Sequence, residues 1–191
     1  MRILALGGSL RERSRNRALL NEAAALAPPG TELDFSPLAV IRSLPLFNQD
    51  VIERDGLPPQ AVELKDALRA ADGVLIATPE YNWGIPGFLK NAIDWASRPA
   101  SDIRHVFGDL PVAVVGAGGG SGTRNAQTAW VSVFRYLRMR PWFDQWLFVD
   151  HSGERFDQDS RLIDEAIREQ LRTMVTAFTT YCAQRPRTRA S

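Results

Sequence analysis

Ile3-Leu4-Ala5-Leu6-Gly7-Gly8-Ser9-Leu10-Arg11-Glu12-Arg13-Ser14-Arg15-Asn16 is the stretch whose reading decides the fold of this 191-residue chain. Ile3 to Leu6 is an apolar run of buried-strand length, and Leu19, Leu20, Ala23, Ala24 and Ala27 recur after it at helical spacing. The pattern predicts a strand, a loop and a helix. Gly7 and Gly8 allow a tight turn, Ser9 and Ser14 supply hydroxyls, Arg11 supplies a fixed charge and Asn16 is placed to cap the helix. With the unpaired N–H groups of the helix start, these side chains make an anion site sized for one phosphate. The dinucleotide pattern G-x-G-x-x-G fails because Ser9 stands at its third place, and no G-x-x-x-x-G-K-[ST] occurs. A monophosphate held by hydroxyls fits better than a pyrophosphate laid against bare glycines.

Outward from this loop, strand and helix patterns alternate. Thr31 to Phe35 reads as an edge strand, and Leu38 to Gly56 as an irregular surface excursion. A helix starting at Pro58-Pro59 puts Ala61, Leu64, Leu68 and Ala71 on one face. Val74 to Ala77 is a continuous apolar run, the mark of a central parallel strand, and delivers Thr78 to Gly84 at its end. A helix from about Pro86 carries Leu89, Ala92, Ile93 and Ala96 inward. Pro111 to Val115 is the next strand; it feeds the loop Gly116 to Gly122 and a helix with Ala126, Trp130, Val133, Phe134 and Leu137 on one side. Met139 to Val149 reads as strand only in part because of Pro141, most clearly at Trp146 to Val149. The last helix, about Arg161 to Gln184, aligns Ile163, Ile167, Leu171, Met174, Phe178 and Tyr181.

Five such alternations predict an α/β three-layer sandwich: a five-stranded parallel sheet with right-handed crossovers, helices on both faces and strand order 2-1-3-4-5. Residues 1–184 form one domain on this reading, and 185–191, with Arg185, Arg187 and Arg189, a basic, disordered and solvated tail. In that order the loops after strands one, three and four meet at one sheet edge.

Composition narrows the partners. Net charge is +1, which gives no mandate for nucleic acid or an anionic membrane surface. Cys182 is the only cysteine and His105 and His151 the only histidines, so no disulfide within the chain and no zinc spacing are expected. No run approaches the roughly 18 apolar residues of a membrane span, and Ile3 to Leu6 is too short for a secretory leader, so a cytoplasmic protein handling a small molecule is expected. Tyr81, Asn82, Trp83 and Gly84 offer an aromatic surface and amides, and Gly116 to Gly122 offers backbone N–H groups with little bulk. A planar heteroaromatic at one end and a monophosphate at the other describe FMN.

Gly8 to Asn16 and Thr78-Pro79-Glu80-Tyr81-Asn82-Trp83-Gly84-Ile85-Pro86-Gly87-Phe88-Leu89-Lys90-Asn91-Ala92-Ile93-Asp94-Trp95 resemble the two hallmark motifs of the NADPH-dependent FMN reductase family. That family includes quinone, azo and chromate reductases. The resemblance implies a flavodoxin-like fold, non-covalent FMN, NADPH or NADH as co-substrate, a homodimer or tetramer, and ping-pong reduction of quinones, azo compounds, chromate or free flavin. By position it assigns Ser9, Arg11, Ser14 and Asn16 to the phosphate, and Pro79, Glu80, Tyr81, Asn82 and Trp83 to the flavin ring. Gly116 and Gly118 belong to the third loop, where Arg124 matches a family arginine; Val115 and Gly116 replace the serines frequent in relatives.

No catalytic side chain is expected, since the flavin carries the hydride chemistry. Glu80 reads better as a cap for backbone N–H groups or a partner across a dimer interface than as an acid, His105 and His151 as surface residues, and Cys182 as a small core residue. Trp83, Phe88, Trp95 and Trp130 are more aromatic surface than one face buries, which argues for a homo-oligomer. The alternative is a flavodoxin-type electron carrier without its own substrate site; such carriers are usually acidic, and this chain is not.

Overall fold

In the computed structural model, whose described residues are 1–187, the apolar run near the start forms β1 (Arg2–Gly7), and α1 (Arg15–Ala25) follows the loop. Then come β2 (Glu32–Asp34), α2 (Pro37–Ser43), α3 (Gln49–Asp55), α4 (Pro59–Ala70), β3 (Gly73–Ala77), α5 (Gly87–Ala96) and α6 (Ile103–Phe107). The chain continues through β4 (Pro111–Ala117), α7 (Arg124–Leu137), β5 (Arg140–Pro141), β6 (Leu147–Val149), α8 (Ser152–Arg155) and α9 (Glu165–Gln184). Every strand pairing is parallel, in the order β2-β1-β3-β4-β5, with β6 pairing β4 beyond β5.

Strand side chains alternate between the two faces, so β1, β3 and β4 each feed two cores. Leu4, Leu6, Val74, Ile76, Val112 and Val114 meet Leu64, Leu68, Leu89, Ile93, Trp130 and Phe134 on one side. Ile3, Ala5, Leu75, Ala113 and Val115 meet Leu19, Leu20, Leu171, Met174 and Phe178 on the other. This is the expected three-layer sandwich.

Four readings change. The segment 38–56 is not irregular: Val40 and Ile41 of α2 are buried in the core that includes Leu64 and Leu68 of α4, and α3 lies outside with no buried residue. The fifth strand position is shared by two short strands, because the chain leaves the sheet between Pro141 and Leu147. The last helix begins at Glu165, where Asp164 accepts from the Ile167 N–H at 3.0 Å; Ile163 lies before it and is 56% exposed. Arg187 is not solvated: it donates to the carbonyls of Leu68, His105 and Gly108, while Arg189 lies outside the described residues.

The aromatic argument for an oligomer also loses two members. Trp95 and Trp130 are fully buried, donating to Pro45 O at 2.8 Å and Thr78 Oγ1 at 3.3 Å. Cys182 is buried as expected, and desolvation, then the charge of Asp72, pushes its thiol up to about 12. No helix among the described residues is long and apolar enough to cross a membrane.

Candidate functional site

The carboxyl ends of β1, β3, β4 and β6 finish at one edge, and backbone bonds hold their loops together. The Gly8 N–H donates to Ala77 O at 2.8 Å, the Thr78 N–H to Val115 O at 2.9 Å and the Gly118 N–H to Val149 O at 3.0 Å. A Cβ on Gly8 would come within 2.7 Å of Pro79 Cδ, so only glycine lets the first loop lie this close to the third strand's exit. Above these loops opens a cavity of about 430 Å³, within the roughly 300–1,000 Å³ usual for cofactor sites.

Of the cofactor-binding residues expected from the sequence, Ser9, Arg11, Ser14, Asn16, Pro79, Glu80, Tyr81 and Gly118 line it. Asn82, Trp83 and Gly116 do not. Asn82 and Trp83, with φ of 50° and 61°, form the tip of a two-residue turn closed by hydrogen bonds between Tyr81 and Gly84, and the Trp83 side chain stands 77% exposed. Gly116 is buried below the cavity, where a Cβ would come within 2.5 Å of Thr78 O and closer still to Thr123 Oγ1. Its glycine serves packing.

Two side chains have roles other than those assigned. Ser14, not Asn16, caps α1, accepting from the Arg17 N–H at 3.2 Å. Asn16 is buried and exchanges two bonds with Ala117: Nδ2 donates to Ala117 O and Oδ1 accepts from Ala117 N–H, both at 2.9 Å. It braces the first loop to the end of β4. No acidic residue lies in the first turn of α1, so its N-terminal dipole is not neutralised there.

Glu80 crosses to the start of α7, whose own N-cap residue Thr123 makes no side-chain cap. The carboxylate accepts from Ser121 Oγ at 2.7 Å, Ala126 N–H at 3.0 Å and Asn125 Nδ2 at 3.2 Å. Partial burial acts to raise its pKa, but the Ala126 N–H and the Ser121 and Asn125 donors outweigh it and hold the carboxyl below its usual range. The capping reading holds. Arg124 lies over the Phe148 ring, 4.8 Å from its centroid.

Ala117 and Gly119 of the expected glycine loop also line the cavity, and so do residues to which the sequence reading gave no part in it: Arg15, His151, Ser152, Gly153 and Glu154. His151 is thus not simply a surface residue. The signal was available in Asp150-His151-Ser152-Gly153, a polar, glycine-bearing run directly after an apolar strand.

Residues 1–154 match the family model for NADPH-dependent FMN reductases. The chain belongs to that family. It is 39% identical over 179 residues to an NAD(P)H-dependent FMN reductase of Pseudomonas aeruginosa, covering 93% of each protein. It is 35% identical over 186 residues to a 2-hydroxy-1,4-benzoquinone reductase of a Burkholderia species, covering 97% of this chain and 98% of the other. Among solved structures it is similar to FerB, a flavoenzyme NAD(P)H:(acceptor) oxidoreductase from Paracoccus denitrificans, with a TM-score of 0.82 at 28% identity over 97% of this chain and 99% of that one. The protein is therefore a flavodoxin-like oxidoreductase that works with FMN and NAD(P)H, which sets aside the electron-carrier reading.

Proposed function

We propose that the protein reduces quinones or related small acceptors with NAD(P)H, holding FMN in the cavity of about 430 Å³. The observation that carries this is the convergence of Ser9, Arg11, Ser14 and the α1 N-terminus at one end of that cavity, with Pro79, Tyr81, Gly118 and Gly119 also on its lining. Two hydroxyls, guanidinium groups and helix N–H groups match a phosphate monoester; the small residues of the later loops admit a flat ring. Asn16 acts indirectly, holding the first and third loops at fixed separation.

Bound there, FMN would supply the hydride chemistry, and the chain's task is to orient donor and acceptor. Glu80 is held ionised by three donors, which suits an anchor for the third loop and not a proton source. Quinone reductases and FMN reductases among the relatives support the acceptor class, since the chain is similar to them over nearly its whole length. Trp83, 77% exposed beside the cavity, supports a homo-oligomer that covers it.

The decisive experiment is an FMN fluorescence titration of Arg11→Ala against the parent. Losing a charge-assisted phosphate contact of about 1.5–3 kcal/mol should weaken binding roughly ten- to a hundredfold with circular dichroism unchanged. Equal affinities would remove Arg11 from the site. The loaded parent should be yellow, bleach with NADPH without oxygen, and regain colour on addition of a quinone.

A further inference from the structure

The segment after β6 is built into the cavity and held there from the opposite end of the chain. Ser152 is buried, and its Oγ accepts from Arg15 Nη1 at 3.1 Å. The N–H groups of His151 and Ser152 donate to Gly119 O and Gly118 O at 3.1 and 3.0 Å. Beyond α8, Ser160 Oγ donates to Arg13 O at 3.2 Å. Two side-chain bonds thus clamp this segment to the phosphate loop.

Such a clamp is needed because α8 is weak alone. It has four residues, no side-chain cap, and a preceding residue, His151, held at φ 42°. A single isolated turn of this kind does not persist in water without tertiary contacts.

We propose that His151 to Glu154 is a fourth wall of the FMN site, latched by Arg15 to Ser152, with Arg15 acting as a positioning residue. This rests on the functional reading above. With its oxygen accepting from Arg15, the Ser152 hydroxyl keeps its one hydrogen for another acceptor, and it lines the cavity together with Ser9 and Ser14. The latch therefore closes the phosphate end and adds a donor to it.

Two measurements test the latch and the wall separately. In the apo protein, Ser152→Ala and Arg15→Met should each raise amide hydrogen exchange at residues 150–155, and the double variant should exchange no faster than either single one. Arg15→Lys should restore part of the protection. Unchanged exchange in the single variants, or purely additive changes, would overturn the latch.

The wall is tested by Gly153→Leu. Gly153 lines the cavity, and a Cβ there meets nothing within 4 Å, so the apo protein should melt at the parent's temperature. FMN binding should nevertheless weaken more than tenfold, because the new side chain occupies space the cofactor needs. Ser152→Ala should release FMN roughly tenfold faster, the scale of one hydrogen bond. Parent-like FMN affinity in Gly153→Leu would overturn the wall. If the parent itself bound no FMN, the functional reading and the wall would fall together, while the exchange data would still decide the latch.

Discussion

A backbone carbonyl, a buried hydroxyl and a missing methyl group decide how Gly116 works. Because Thr78 O lies within 2.5 Å of where a Cβ would stand, and Thr123 is fully buried beside it, Gly116→Ala overpacks the junction of β3, β4 and α7. A loss of about 1–3 kcal/mol is expected, seen as a lower melting temperature, whereas Gly119→Ala, with nothing within 4 Å, should melt like the parent. Glu80 makes a pH-dependent contribution at the same junction. Its folded carboxyl ionises below the ordinary 4.5, so its stabilisation is fully present above that pH and is lost as acid takes the solution through the lower folded value. Glu80→Gln should therefore be less stable than the parent at neutral pH, on the order of 1 kcal/mol, with the gap shrinking in acid denaturation curves below about pH 4. A gap that stays constant with pH would show that the carboxylate's charge is irrelevant. Residue types in the motifs marked the site well, but not their partners: Asn16 has the chemistry of a cap, and only the fold shows that Ala117 takes up its amide.

At the scale of elements, period and length determine what a sequence reveals. β3 and β4 are continuous apolar runs and stand where their pattern puts them. α2 escaped because its seven residues begin at Pro37 and bury only Pro37, Val40 and Ile41, too short a stretch for a helical period to emerge. β5 and β6 have two and three residues, and their pairing is set by β4 rather than by their own composition. The loop after β6 went unread although Trp146 to Val149 marked the strand's exit, because Asp150-His151-Ser152-Gly153 is one short polar run with no second glycine. The helical state of 37–43 has a direct consequence. Ile41 is 3% exposed in the core with Leu64 and Leu68, so Ile41→Ala should cost about 2–5 kcal/mol in denaturant unfolding, while Leu46→Ala, at 85% exposure, should stay within about 0.5 kcal/mol. Equal effects would mean the segment packs no more tightly than a loop.

Across the whole molecule, the parallel sheet sends four loops to one edge, and the cavity of about 430 Å³ opens among them. Tyr81 and the tip at Asn82 and Trp83 stand on the open side, where donor and acceptor must both arrive. With one site for two substrates, the nicotinamide product has to leave before a quinone enters. Initial rates against NADPH at several quinone concentrations should then give parallel lines in double-reciprocal form, the ping-pong pattern. Intersecting lines would show that both substrates bind together and that a second site has been missed. The same geometry limits what side chains contribute to turnover. Glu80 already accepts from three donors, His105 is exposed on α6 at the amino end of β4, away from the cavity, and Cys182 is buried on the inner face of α9 with its thiol pushed up to about 12. None is placed to provide the factor of roughly 10² to 10⁴ that general acid-base catalysis supplies. Glu80→Gln, His105→Ala and Cys182→Ala, each assayed with FMN content measured, should therefore keep turnover per flavin within roughly a hundredfold of the parent. A variant that holds its full complement of FMN and still falls below that limit would identify a proton-transfer role for the altered residue.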